Sequence, residues 1–223
     1  RPAMTSSNGD VVTSTLSREA TAALKRIGRQ HGATPFVTFL ALFQVLLSRL
    51  SGDTDFAIGT PVAGRTVPEL HPIIGFFANT VVVRADLSGS PDANDVIQRT
   101  RDRVREALEH QHVPFEKLVE ALAVPRDPSR NPLFQVAFAL REQDPADLHF
   151  EGLRVQRDET GIGRAKFDLT LSLQDRDDGI VARWEYCTDL FERATIARMA
   201  RQYERLAEAM GATPDRTVST LPM

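Results

Sequence analysis

The side chains here best suited to acid–base, nucleophilic or metal chemistry are His31, His71, His110, His112, His149 and Cys187. No two of the histidines are adjacent, and there is no HExxH, no CxxC and no phosphate-binding loop. His110 and His112 stand two residues apart around a helix end, where their rings diverge and no third ligand is apparent; this spacing favours a structural role over a metal site. Gly161-Ile162-Gly163 precedes a strand rather than a helix and carries no weight as a nucleotide motif. Cys187 is the only cysteine, cannot close an internal disulfide, and reads as a buried strand thiol in a reducing compartment. No serine–histidine–aspartate set can be assigned from spacing. The irregular stretch 61–78 stands out instead, with Pro61, Gly64, Pro68, Pro72 and Gly75. Loops of that length inside a compact domain are usually functional.

The elements that must hold this loop are legible from periodicity. Residues 1–15 are polar with little pattern and read as a linker. Ser17 is suited to cap a helix with Ala20, Ala23, Leu24 and Ile27 on its apolar side, ending at Gly32. Thr34-Pro35 opens a second helix that is apolar nearly all round, from Phe36 to Leu50, and so must be buried. Residues 55–60 and 79–86 read as strands flanking the long loop. Ser90-Pro91 is expected to open a third helix with Val96, Thr100, Val104 and Leu108 on one face, and Pro114 a shorter fourth. Residues 133–140 read as a strand with bulky Phe134, Val136, Phe138 and Leu140 on one side. Gln135, Ala137 and Ala139 on the other side are expected to line open space. A weak strand is expected near 148–156. A hairpin follows, with Phe167, Leu169, Leu171 and Leu173 on one strand and Ile180, Ala182, Trp184 and Tyr186 on the other, turning at Asp178-Gly179. The last helix carries Ile196, Met199, Tyr203, Leu206 and Met210.

The expected fold class is therefore α/β, a mixed sheet packed with about five helices. The chain has 223 residues, 42% hydrophobic and 26% charged, with formal net charge -3, and shows no basic stripe; nucleic acid is not expected as a partner. The polar N-terminus lacks an apolar signal core, and the longest apolar stretch, 35–47, is too short and too broken to span a bilayer. No membrane association and a cytoplasmic location are expected.

Three segments carry a resemblance. Residues 74–84 read IGFFANTVVVR, 110–116 read HQHVPFE and 126–133 read RDPSRNPL. In this order and at these separations they resemble the last three core motifs of nonribosomal peptide synthetase condensation domains: (I/V)GxFVNT followed by arginine, HQD(Y/V)PFE, and RDxSRNPL. DFAIGTPVAGR at 55–65 is similar to the strand and loop before the first of these. Ala78 departs from the usual valine, and His112 replaces the usual aspartate with a mostly neutral group. The motif HHxxxDG, which supplies the catalytic histidine in the N-terminal lobe of that family, is absent.

The resemblance implies a single chloramphenicol-acetyltransferase-like lobe, the C-terminal half of a condensation domain. Residues 1–16 would be a linker from the N-terminal lobe, 17–212 the lobe, and 213–223 a linker toward an adenylation-type domain. It further implies amide-bond formation between an acyl or aminoacyl thioester and an amine, both arriving on phosphopantetheine arms, as in antibiotic and other secondary-metabolite synthesis. The implied partners are the N-terminal lobe, donor and acceptor peptidyl carrier proteins and a neighbouring adenylation domain. No directly bound cofactor, no metal and no catalytic residue of its own are implied, so the isolated chain is expected to be inactive. Stretch 61–78 would be a floor loop reaching the partner lobe, with a latch beyond residue 155. Asn79, Gln135 and Ala137 would face the substrate tunnel. A scaffold role is expected for Gly75, Phe77, Thr80, Arg84, His110, Gln111, Pro114 and Phe115, for Glu116 as the third helical residue, and for Arg126, Asp127, Ser129, Arg130, Asn131 and Pro132 as a locked turn. The alternatives are a lobe of an epimerisation or cyclisation domain, and a non-catalytic carrier-binding module.

Overall fold

The computed structural model describes residues 1–141, 152, 163–176 and 179–223. The chain runs β1 (Gly9–Leu16), α1 (Arg18–Gln30), α2 (Pro35–Ser51), β2 (Asp55–Val62), β3 (Asn79–Asp86), α3 (Ala93–Glu109), α4 (Phe115–Ala121), β4 (Val136–Arg141), β5 (Leu169–Arg176), β6 (Gly179–Cys187) and α5 (Arg193–Ala212). Single 3-10 turns cover Pro68–Leu70 and Val218–Thr220. The strand expected near 148–156, His149, the Gly161-Ile162 pair and Asp178 lie outside the described residues.

Helix starts follow the cap residues. The Ser17 hydroxyl accepts from Ala20 N, and that of Thr34 from Val37 N, with Pro35 in the first turn of α2. Gly52, at φ +82, ends α2 in a left-handed conformation that a side chain would strain. The third helix corrects the expectation. Its cap is Asp92, which accepts from Asp95 N while Asp95 reaches back to the Asp92 amide; Ser90-Pro91 lies outside the helix. A reciprocal acidic pair outweighs a serine two residues earlier.

Strand order is β1-β6-β5-β4-β2-β3, with β4 parallel to both neighbours and all other pairs antiparallel. The stretch read as a linker thus contains an edge strand, since Gly9–Leu16 pairs along its whole length with β6. Thr, Ser and Val alternate there too softly to show a period, and the pairing partner lies about as far away in sequence as the chain allows. The tail is not free either. Val218 and Leu221 are buried, and the Arg49 guanidinium donates to both their carbonyls.

Residues paired across strands share a face. One face presents Ile58, Val83, Phe138, Leu171, Ala182 and Trp184, all buried under α1, α2, α3 and α5. At its centre lies α2, buried without interruption from Val37 to Leu46. Phe43 makes aromatic contacts with Phe138, Trp184 and Tyr203 at centroid distances of 5.9, 6.0 and 6.4 Å, and the Tyr203 hydroxyl donates to Phe39 O. The opposite face presents Ala57, Gly59, Ala137, Ala139, Thr170 and Ser172. The helices α1, α2, α3 and α5 leave that face uncovered among the described residues, and α4 meets the sheet mainly at β3.

Truncating Phe43 to alanine should cost about 3–5 kcal/mol, as for other fully buried phenylalanines. The denaturation midpoint should fall at unchanged slope, and the near-ultraviolet signal of Trp184 should weaken because its ring partner is gone.

Candidate functional site

The three motif segments converge at the β3 end of the open face. Asn79 is the first residue of β3 and ties two of them together. Its Nδ2 donates to Gln111 O (2.9 Å) and Val113 O (2.7 Å), and its Oδ1 accepts from Phe115 N (3.1 Å). Helix α4 has Pro114 at its N-cap with no side-chain cap of its own, so Asn79 supplies the missing acceptor from 36 residues upstream. Glu116 is the second helical residue, not the third, because proline occupies the cap itself.

The loop 63–78 folds around Arg65. Its guanidinium lies 4.5 Å from the Phe77 ring centroid and donates to Leu70 O and Gly75 O. Gly64 has φ +65, and a Cβ there would sit 1.9 Å from Phe77 O, so only glycine fits. With its polar backbone gathered inward, the loop presents apolar side chains outward: Ile74 is fully exposed and Phe76 is 91% exposed. Further along β3, Arg84 forms an exposed bidentate pair with Asp55 of β2.

The RDPSRNPL segment is a turn held by Asp127. Its Oδ1 accepts from Ser129 N (2.8 Å) and Ser129 Oγ (2.7 Å), and its carbonyl accepts from Arg130 N. Those bonds to Ser129 hold the Asp127 carboxyl below the usual carboxylate range. The Arg130 guanidinium lies 3.7 Å from Asp127 Oδ2, and Arg126 and Pro132 are exposed. Strand β4 begins only at Val136, three residues later than the pattern suggested, because Leu133 has φ +66 and Phe134 N donates back to Pro132 O. This tight turn swings Phe134 over Gly59, where a Cβ would meet the ring at 2.2 Å. Phe134 then packs between Phe115 (5.6 Å) and Phe167 (5.1 Å).

Two clefts meet at these aromatics. One, of about 680 Å³, lies between the loop, the start of α4 and residues 131–134; Asn79, Thr80, Gln111, His112 and Glu116 are on its wall. The other, of about 410 Å³, is a wedge on the open face, where β2 and β4 are joined only through Gly59 and Ala137. Thr80, Phe134, Lys166 and Phe167 line both. Ala137 lines the wedge. Gln135 lies elsewhere: its Nε2 donates to Asn131 O (2.9 Å), and it lines a separate groove of about 1320 Å³ beside α4. The late start of β4 is the cause, since alternation does not extend back to residue 135. His110 is exposed with its ring 6.4 Å from that of His112, and the described residues hold no group of three metal-capable side chains. Gly59, Arg65, Phe134, Lys166 and Phe167 are site residues that the sequence does not single out as such; Phe134 and Phe167 read there only as bulky strand positions. The Phe134–Gly59 contact spans two strands, and Lys166 merely precedes a well-patterned strand.

A family profile described as "Condensation domain" matches residues 1–223. Malpinin synthetase of Mortierella alpina is 42% identical over 219 residues, covering 98% of this chain and 3% of that protein. Among solved structures, the complex of the X-domain and OxyB from teicoplanin biosynthesis aligns at TM-score 0.90 and 35% identity, covering 100% of this chain and 50% of that one. A four-domain nonribosomal peptide synthetase in its holo form, bound to AMP and glycine, aligns at TM-score 0.93 and 27% identity, covering 99% and 18%. The chain thus spans a small fraction of the synthetases it matches.

Asn79→Ala removes three hydrogen bonds and should destabilise the fold by about 2–3 kcal/mol, with hydrogen exchange at the Phe115 amide accelerating more than elsewhere in α4. The Asp127 turn has a defined pH dependence. With its folded carboxyl pKa depressed, its contribution is complete above the ordinary value of 3.8 and is lost as pH falls through the lower folded value. Asp127→Asn should abolish that acid-side dependence of the Ser129 amide shift, followed by NMR.

Proposed function

The chain belongs to the condensation-domain family, and we propose from that premise that it is the C-terminal lobe of a domain forming amide bonds during nonribosomal peptide synthesis. The observation that carries this reading is the one-sided sheet. Four helices occupy one face, while the other carries small and hydroxyl side chains along β2, β4 and the first half of β5, flanked by longer ones such as Arg84 and Glu185, with all three motif segments at its β3 end. Such a wall suits a substrate passage closed by a second lobe.

In the proposed reaction the amine of a carrier-bound acceptor attacks the carbonyl carbon of a carrier-bound donor thioester. The C–N bond forms, the C–S bond breaks, and the departing thiolate takes up the proton lost by the nitrogen, directly or through a base. In this reading the imidazole that handles the proton belongs to the opposite lobe; of the described histidines, His112 lines the motif cleft and none lines the wedge. Fixing two tethered reactants against one wall supplies much of the rate, since effective molarities for well-oriented pairs reach about 10⁵–10⁸ M. Substrates arrive on phosphopantetheine arms, and no resident cofactor is required.

The loop 61–78 acts as the floor loop, offering Ile73, Ile74 and Phe76 to the partner lobe. The latch is placed beyond residue 155, where residues 156–162 and 177–178 lie outside the described ones. Donor and acceptor carrier proteins and an adjacent adenylation domain complete the proposed set of partners, in a synthetase whose lobe boundary here begins at β1 rather than after it. No single described helix is long and apolar enough to cross a membrane. The likeness to an X-domain solved with OxyB favours a second reading, in which the lobe recruits a partner protein without catalysis.

In the full-length protein with loaded donor and acceptor carriers, peptide should appear on the acceptor arm by mass spectrometry and disappear when the upstream lobe is removed. Peptide formed by these 223 residues alone would refute the division of labour. Carrier or enzyme binding without any peptide would establish the recruiting reading instead. Phe76→Asp should leave the thermal midpoint unchanged, because the ring is 91% exposed, yet reduce peptide formation at least several-fold by weakening the lobe–lobe contact.

A further inference from the structure

Lys166 lines the wedge, the motif cleft and a third cleft near the N-terminus, so its side chain stands at the junction of all three. Its backbone is fixed on both sides. Ala165 N donates to Ser7 O, Asp168 N donates to Gln135 O, and Lys166 O accepts from Asn131 Nδ2. Its ammonium, by contrast, has no carboxylate within ion-pair distance among the described residues; it lies against the Phe167 ring, with the centroid 5.5 Å away. The nearest acid in sequence, Asp168, does not line the wedge and is engaged by Arg1.

The wedge has a matching composition. Among the described residues its lining contains two cations, Lys166 and Arg141, and no aspartate or glutamate. Thr80, Thr170 and Ser172 add hydroxyls that make no hydrogen bond to another described residue. An ammonium beside hydroxyl donors and small side chains, in a concave site where no described residue supplies a competing carboxylate, is built to receive a compact oxyanion.

We propose that this wedge is an oxyanion subsite in which Lys166 holds either a carboxylate on the acyl group or the phosphate of the arm that delivers it. The ammonium supplies a charge-assisted hydrogen bond, with Arg141 as the second cation, while the Phe134–Phe167 aromatic pair limits how far a bulky apolar group enters. The proposal rests on the condensation reading for the origin of the ligand but not for the binding itself.

The test is a binding titration of the full-length protein with four probes: pantetheine, 4′-phosphopantetheine, S-glutaryl-pantetheine and its neutral carbamoyl isostere. Wild type should bind phosphopantetheine over pantetheine, or the glutaryl thioester over its isostere, by about tenfold, the scale of one hydrogen bond to a charged group. The first preference identifies the arm's phosphate as the ligand, and the second the substrate carboxylate. Lys166→Met should erase the preference and Lys166→Arg should keep most of it. Equal affinity for charged and neutral members of both pairs in the wild type overturns the proposal, as does a Lys166→Met protein that weakens all four probes alike. A protein that shows the Lys166-dependent preference but forms no peptide retains this subsite and loses the condensation reading.

Discussion

Helix α2 is apolar around its whole circumference, and the fold follows from having to enclose it. Of its two polar side chains in the buried run, Thr38 donates to Thr34 O, and Gln44 accepts through Oε1 from Thr100 of α3 at 2.6 Å while its Nε2 is left without a partner among the described residues. The remaining surface needs apolar partners on every side, and these are α1, α3, α5 and one face of the sheet. That demand places four helices on the same side. The sheet, having given its bulky residues to α2, is left with Ala, Gly, Ser and Thr on the central part of its other face, along β2, β4 and the first half of β5. The one-sidedness that makes the open face available is thus the consequence of one helix with no polar side.

At the rim of that face the backbone is irregular, and irregular backbone must find its hydrogen bonds somewhere. Here single side chains do the work of ladders. Asn79 makes three bonds to the 111–115 segment, Arg65 reaches two carbonyls of its own loop, and Asp127 closes its turn through Ser129. Each of these sits in one of the motif segments or in the strand-and-loop segment before them. Their chemistry is that of satisfying amides and carbonyls at fixed geometry, which accounts for why asparagine, arginine and aspartate are required without any of them reacting.

The fold was largely legible because its signals were local. Caps at Ser17 and Thr34, the all-apolar α2 and the alternation of β5 and β6 each declare themselves within a dozen residues. Strand β1 was not legible, because its evidence lies in β6 and its own residues are small and half-exposed. The site was readable only in part. Asn79 and Ala137 line the two clefts. Gln135 lines neither, because alternation assumes a strand and Leu133 at φ +66 delays it. Phe134, Phe167 and Lys166 meet only in three dimensions, where β2, β4 and the approach to β5 come together, and no spacing along the chain records that meeting.

An open face of this kind constrains how it can act. Water reaches the wedge from one side, so a hydrogen bond or ion pair formed there alone competes with solvent and counts for little. Covering the face changes that balance: the same ammonium, hydroxyls and aromatic edges, once dry, hold a ligand in one pose and repel the wrong charge strongly. The exposed Ile73, Ile74 and Phe76 lie on the loop that borders the motif cleft, where such a cover would make contact. Apolar surface for closure and polar groups for recognition are therefore placed side by side. In the proposed arrangement the recognition groups gain their full strength only after the apolar contact has formed, which ties selectivity to assembly.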